Sequence, residues 1–378
     1  MRRHGKKTPD ASPVLIAARA LLAAELGRAG PSPDWAALAA TAETERLSAW
    51  LYALGRRNAV PAVRLEPFRR AWLAFHRQHL AALHELERLV EAFEQAAIPV
   101  IPLKGPLLAE ALYRDPGGRP FTDLDLLVPP THAEPAVELL SGLGYRHLGY
   151  ERTLAHERAH AGAACFVPPP SDPDRMPVDL HWSLLSFPGG FAPRGIDHPG
   201  IWQRASETAT LGRRVLQLAD DDLALYLALH LAVHHPLTGL RWRLELAVFI
   251  GRRGDRVNWQ ALARRARACG VSGALYFGLV ATAGSLGVMP PPETVRALRP
   301  SGWRGTLLDR LAAGASERPQ LEYLVNFASL DRLADRLRLL RAALAPSAAW
   351  VRTRYEAPSA LRGWRRHYGR ALKVLARR

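Results

Sequence analysis

The chain has 378 residues, enough for two or three domains, and its 48% apolar and 23% charged composition excludes a disordered protein. Two cysteines, Cys165 and Cys269, exclude a disulfide framework and a four-thiolate zinc site, and they fit a reducing cytoplasm. Fifty-one Lys and Arg against 35 Asp and Glu leave a net charge of +16, which attracts anionic substrates.

Taken in chain order, the sequence falls into three zones: residues 1–95, 96–205 and 206–378. The start, Met1-Arg-Arg-His-Gly-Lys-Lys, carries signal-like charge. Asp10 and Arg19 then follow with no small-residue cleavage pattern, so it reads as a ragged terminus leading into a helix. The rest of the first zone is rich in Ala, Leu and Arg. Leu80, Leu83, Leu86, Leu89, Val90 and Phe93 recur at three- and four-residue steps, the spacing of a buried helix face. In the second zone the period changes. Ile98 to Leu103 reads as a short strand, Leu107 to Tyr113 as a helix, Arg114 to Pro120 as a loop and Asp123 to Val128 as a strand. A helix from Pro130 to Leu143 ends at Gly144, a left-handed cap position. Strands are expected around Tyr145 to Tyr150, Ala164 to Val167 and Val178 to Trp182, with a proline loop at 168–173. The third zone is helical from about Ala219, with Asp220 to Asp222 as an N-cap cluster and buried helices over Leu223 to His235 and Leu240 to Gly251. No apolar run reaches the roughly 18–20 residues of a membrane-spanning helix.

Three features in the second zone carry chemistry. The first is Leu103-Lys104-Gly105-Pro106, between a strand and a helix. Gly105 permits a tight turn, Pro106 suits the first helical position, and the Leu107 and Leu108 N–H groups would face an anion at the helix start. Lys104 is one of only four lysines in an arginine-rich chain, and a flexible point charge suits a phosphate. The second is Thr122-Asp123-Leu124-Asp125-Leu126-Leu127-Val128. Alternation puts Asp123 and Asp125 on one face, roughly 6–7 Å apart, where they repel unless a cation intervenes. Oxygen donors of this kind suit Mg²⁺ or Mn²⁺. The third is Val178-Asp179-Leu180-His181-Trp182, with Asp179 and His181 on one face. A neighbouring strand could bring Asp179 beside the first pair.

Together, Ile98 to Val128 and Val178 to Trp182 resemble the bacterial nucleotidyltransferase family of the polymerase-β-like superfamily that carries a Leu-Lys-Gly signature. The resemblance implies an α+β fold: a small mixed sheet with helices, flanked by helical N- and C-terminal domains. It implies that Asp123, Asp125 and Asp179 hold Mg²⁺ or Mn²⁺, with Asp179 also deprotonating an acceptor. Lys104, Gly105, Leu107, Arg119 and Thr122 would bind the nucleotide, and His181, His156, His160 and Arg241 would face the acceptor. The wider superfamily usually has Gly-Ser or Gly-Gly where this chain has Gly105-Pro106, so Lys104 stands in for the missing hydroxyl and N–H. The expected reaction moves a nucleoside monophosphate from a triphosphate to a hydroxyl or phosphate on an unknown acceptor.

Rival readings use other residues. His156-Glu157-Arg158-Ala159-His160 spells the zinc-hydrolase signature, but its metzincin extension fails at Ala163 and Phe166. Sugar transfer from a nucleotide-sugar at the same site, or nucleotide or nucleic-acid binding without catalysis, would also fit. Scattered arginines argue against dedicated nucleic-acid binding. His230, His234 and His235 read as structural groups between helices, with Arg241, Trp242 and Glu245 pairing with them or lining the cleft, and Cys165 reads as a core residue. The tail, Trp350 to Arg378, is basic and aromatic. It reads as a packed, solvated helix that could also touch an anionic partner or a membrane.

Overall fold

The computed structural model describes residues 13–28, 34–35, 42, 46–149, 154, 157, 162–172, 175–185, 198–210, 213–237, 239–313 and 321–376. Its first helices with bounds among the described residues are α1 (Pro13–Glu25), α2 (Ser48–Arg57) and the 34-residue α3 (Ala62–Gln95). The apolar face of α3 is buried at Leu86, Leu89, Val90 and Phe93, but Leu80 is 55% exposed, and the buried positions around it belong to His79 and Ala82.

The changed period of the second zone produces a five-stranded sheet. Its elements are β1 (Ile101–Pro102), α4 (Pro106–Leu112), β2 (Leu124–Leu127), α5 (Ala133–Gly142), β3 (Arg146–His147), β4 (Ala163–Val167) and β5 (Val178–His181). The strand order is β1-β2-β5-β4-β3. Among the described strands β2 and β5 run parallel, with Asp125 opposite Asp179, and the other neighbours are antiparallel. A parallel pair needs a long crossover, and here α5, β3 and β4 lie within it. Leu124, Leu126, Val128, Val178, Leu180 and Trp182 share one face and pack with Phe93, Val100 and Phe166 in one core. Gly144 has φ +84°, the left-handed cap foreseen after α5. The architecture is α+β with a small mixed sheet, as expected.

After α6 (His198–Arg204) comes a hairpin that the helical reading of the third zone does not contain, β6 (Ser206–Thr210) with β7 (Arg213–Gln217). Helices follow: α7 (Asp220–His234), α8 (Leu240–Arg253), α9 (Trp259–Cys269), α10 (Ser272–Leu286), α11 (Pro292–Leu298), α12 (Gly302–Ala313), α13 (Glu322–Ser329), α14 (Leu333–Leu344), α15 (Ala348–Arg354) and α16 (Ala360–Ala376). Asp220 to Asp222 occupy the first turn of α7, because Ala219 is its N-cap and no side chain caps it. There they complement the helix dipole and pair with Arg253, Arg265 and Arg204.

A second core joins α1, α2 and α4 to α7, α8 and α10 through Leu21, Leu51, Leu112, Leu227, Leu231, Leu244, Phe249 and Phe277. A Cβ on Gly278 would lie 2.6 Å from the Ala228 carbonyl oxygen, so α10 presses directly on the backbone of α7. That packing fixes α7 and α8 beside the sheet. Among the described residues no helix is long and apolar enough to cross a membrane.

Candidate active site

The acidic face of the sheet is the one its alternation leaves uncovered. Parallel pairing of β2 with β5 sets Asp125 beside Asp179, and antiparallel pairing of β4 sets Cys165 on the far side of Asp179. Asp123 precedes β2 by one residue, and His181 lies two beyond Asp179 on the same face. Lys104 comes from the neighbouring edge, where the Leu103 N–H donates to the Asp125 carbonyl at 2.9 Å. Gly105, at φ +73° and ψ −140°, then turns the chain into α4, a conformation that side chains rarely adopt. Lys104 Nζ lies 2.9 Å from Asp125 Oδ1, and His181 Nε2 lies 3.3 Å from the same oxygen. These groups open on a cavity of about 560 Å³ whose opposite wall is Tyr226, His230, His234, His235, Arg241 and Trp242 from α7, α8 and the connection between them.

Charge is unevenly distributed among the three carboxyls. Burial opposes ionisation of Asp125, but Lys104 and His181 outweigh it and hold this carboxyl well below the usual range. Asp123 is pushed up to about 6, by burial and then by Asp125. Asp179 is also raised, by burial and then by Asp125. Burial and the neighbouring Asp179 push the Cys165 thiol far up, so it is a protonated wall group and not a nucleophile. On the opposite wall, burial and then Lys104 favour neutral imidazoles at His230 and His234. Lys104 Nζ lies 5.7 Å from the ring centroids of both Tyr226 and Trp242. The Arg241 guanidinium stacks 4.0 Å over Trp242, with its pKa lowered to about 10 by burial and then by Arg119.

Of the residues expected at the site, Asp123, Asp125, Asp179, Lys104, Thr122, His181 and Arg241 all line this cavity. Gly105 forms the turn beneath it. Arg119 does not line it: its Nε bonds Glu245 Oε2 at 2.5 Å, its Nη1 reaches the Gly105 carbonyl at 3.4 Å, and it is only 4% exposed. Leu107 lines a separate cavity of about 290 Å³ with Leu108, Thr208 and Leu218. His156 and His160 lie outside the described residues. Glu157, between them, is described; it lines the acidic cavity and pairs with His147 at 2.6 Å.

Besides Arg119 and Leu107, which were expected against the nucleotide and do not line the cavity, two further readings change. Cys165 is not a core residue, because its strand position turns it to the acidic face. The three histidines do not simply join helices; they form a wall of the cavity. The four-residue spacing of His230 and His234 was the available signal, whereas nothing local announced Tyr226.

Donor atoms of Asp125, Asp179 and His181 all lie within 4.8 Å of one another. Two carboxylates and an imidazole around a shared point fit a divalent cation. The site thus joins a small mixed sheet with carboxylates on adjacent strands to a glycine turn bearing a lysine. A protein-family model described as "Uncharacterised nucleotidyltransferase" matches residues 31–287, and the chain belongs to that family. No curated protein and no solved structure matches the chain.

Proposed function

We propose that the protein transfers a nucleoside monophosphate from a nucleoside triphosphate to a hydroxyl or phosphate oxygen of an acceptor and releases pyrophosphate. The observation that carries this reading is the meeting of Asp123, Asp125 and Asp179 with Lys104 around one cavity. Asp125 and Asp179, with Asp123 and His181 beside them, would hold Mg²⁺ or Mn²⁺. When bound, such an ion supplies charge neutralisation on the phosphoryl oxygens.

The chain's own groups do the rest. Asp179, made more basic by burial and by Asp125, takes the proton of the attacking hydroxyl. The acceptor oxygen bonds to the α-phosphorus as the bond from that phosphorus to the β-phosphate oxygen breaks. Lys104 and Arg241 neutralise charge on the departing pyrophosphate, and positioning and electrostatics supply most of the rate. Lys104 is poised for this because it already sits against Asp125. Arg119, tied to Glu245 and to the Gly105 carbonyl, supports the turn and leaves the phosphate contact to Arg241. The reaction belongs to the cytoplasm, where nucleoside triphosphates are made.

The test is pyrophosphate release from each of the four ribonucleoside triphosphates with Mg²⁺ or Mn²⁺, using a small-molecule cell extract as the acceptor source. At least one triphosphate should give metal-dependent release that is lost in Asp125→Asn, with a product heavier by a nucleoside monophosphate. Undiminished release by Asp125→Asn, or a product heavier by a sugar, refutes the proposal.

A further inference from the structure

The charge of the chain is concentrated where the proposed reaction has no use for it. Residues 331–378 hold thirteen Lys and Arg against three acids (Asp331, Asp335 and Glu356), which is +10 of the net +16. This segment lies beyond residues 31–287, the part shared with the family. Asp335 is further neutralised by Arg338 at 2.8 Å, and Asp331 by Arg304 at 3.1 Å.

The same segment exposes apolar side chains in order. On α14, Leu333, Leu337, Leu340 and Leu344 follow steps of four, three and four and so share one helix face; they are 60, 55, 42 and 60% exposed. Leu339 and Asp335, on the opposite face, are buried. Arg336 and Arg341 flank the leucine stripe on its two sides. The exposed Leu361 and Tyr368 of α16 extend it, because the Tyr368 hydroxyl donates to the Leu344 carbonyl at 2.6 Å and His367 Nε2 meets the Ala343 carbonyl at 2.9 Å. Arg362 and Arg365 stand exposed on α16 beside these groups.

We propose that the α14–α16 face docks on an anionic lipid surface, with the leucine stripe entering the headgroup boundary and the arginines pairing with lipid phosphates. A basic helix whose apolar face stands exposed among the described residues suits that boundary, where each basic residue adds attraction to negative headgroups. Like charge opposes a second copy of the same +16 chain as the occupant. A nucleic acid would engage the arginines but gain nothing from four exposed leucines.

Vesicle co-sedimentation of the full chain tests this. Vesicles containing about one-third phosphatidylglycerol in phosphatidylcholine should bind the protein at least about tenfold more tightly than pure phosphatidylcholine, and less so as salt rises above roughly 0.1 M. Leu337→Gln with Leu340→Gln should weaken binding about tenfold without changing the thermal melt. Arg341→Gln with Arg362→Gln and Arg365→Gln should weaken it at least as much and abolish the preference for phosphatidylglycerol. Equal binding to both vesicles, or no binding, overturns the proposal. So does binding that survives the leucine substitutions, a leucine-dependent dimer in sedimentation velocity, or RNA binding without vesicle binding.

Discussion

Replacing Asp123 by Asn should stabilise the metal-free protein while it abolishes transfer. Asp123 is isosteric with Asn, so the perturbation removes one charge from a cavity that already holds Asp125 and Asp179. Burial and Asp125 raise the Asp123 carboxyl from 3.8 to about 6. A group with a raised folded pKa binds more protons in the folded state, so its stabilising contribution is present below about pH 4 and lost as pH rises through 6. A shift of about two units at about 1.4 kcal/mol each puts the cost of holding Asp123 ionised at roughly 3 kcal/mol near neutral pH. Guanidinium unfolding in EDTA should therefore find Asp123→Asn more stable than wild type by roughly 2–3 kcal/mol near pH 7.5. The gap should shrink to about 1 kcal/mol near pH 4.5, because the wild-type carboxyl is then protonated in the folded state. A destabilised Asp123→Asn under those conditions would refute the claim that burial and the neighbouring Asp125 make the ionised Asp123 carboxyl costly to hold.

Other consequences follow from the same geometry. Lys104→Met leaves Asp125 buried without its ammonium partner and should cost roughly 3–5 kcal/mol, most of it recovered in Lys104→Met with Asp125→Asn; simple additivity in the double-mutant cycle would contradict the pair. Gly105→Ala should cost about 1–3 kcal/mol from backbone strain alone, since the added methyl meets only Leu124 Cδ2 at 3.6 Å and the Asp123 carbonyl at 3.7 Å, and a neutral melt would deny the turn. Arg241→Gln should raise the nucleotide KM about tenfold with little change in stability, whereas Arg119→Met should lower stability by about 3 kcal/mol by orphaning Glu245. Reversal of those two phenotypes would return the phosphate contact to Arg119.

The sheet and its acidic face were legible because strand alternation is local. The apolar set Leu124, Leu126 and Val128 leaves Asp123 and Asp125 only one side to occupy, and Val178 and Leu180 do the same for Asp179 and His181. That a neighbouring strand could bring Asp179 beside the first pair, across some fifty residues, was legible as a possibility, but the parallel sense of the β2–β5 pairing was not. The far wall was legible only in part: Arg241 and Trp242 were read as possible cleft residues, but Tyr226 was not, since it reaches the cavity through the packing of α10 on α7, a contact between residues 278 and 228 with no local pattern. Arg119 and Glu245, separated by 126 positions, show the same limit: a buried arginine and a phosphate-binding arginine look alike in sequence. The β6–β7 hairpin went unread because Ser206 to Gln217 lacks a sustained apolar alternation.

Anomalous diffraction from crystals grown with Mn²⁺ and a non-hydrolysable nucleoside triphosphate tests the heart of this account. We expect a manganese peak roughly 2.2 Å from carboxylate oxygens of Asp125 and Asp179, with the triphosphate against Lys104. A nucleotide seated elsewhere, with no manganese between those two strands, would contradict it.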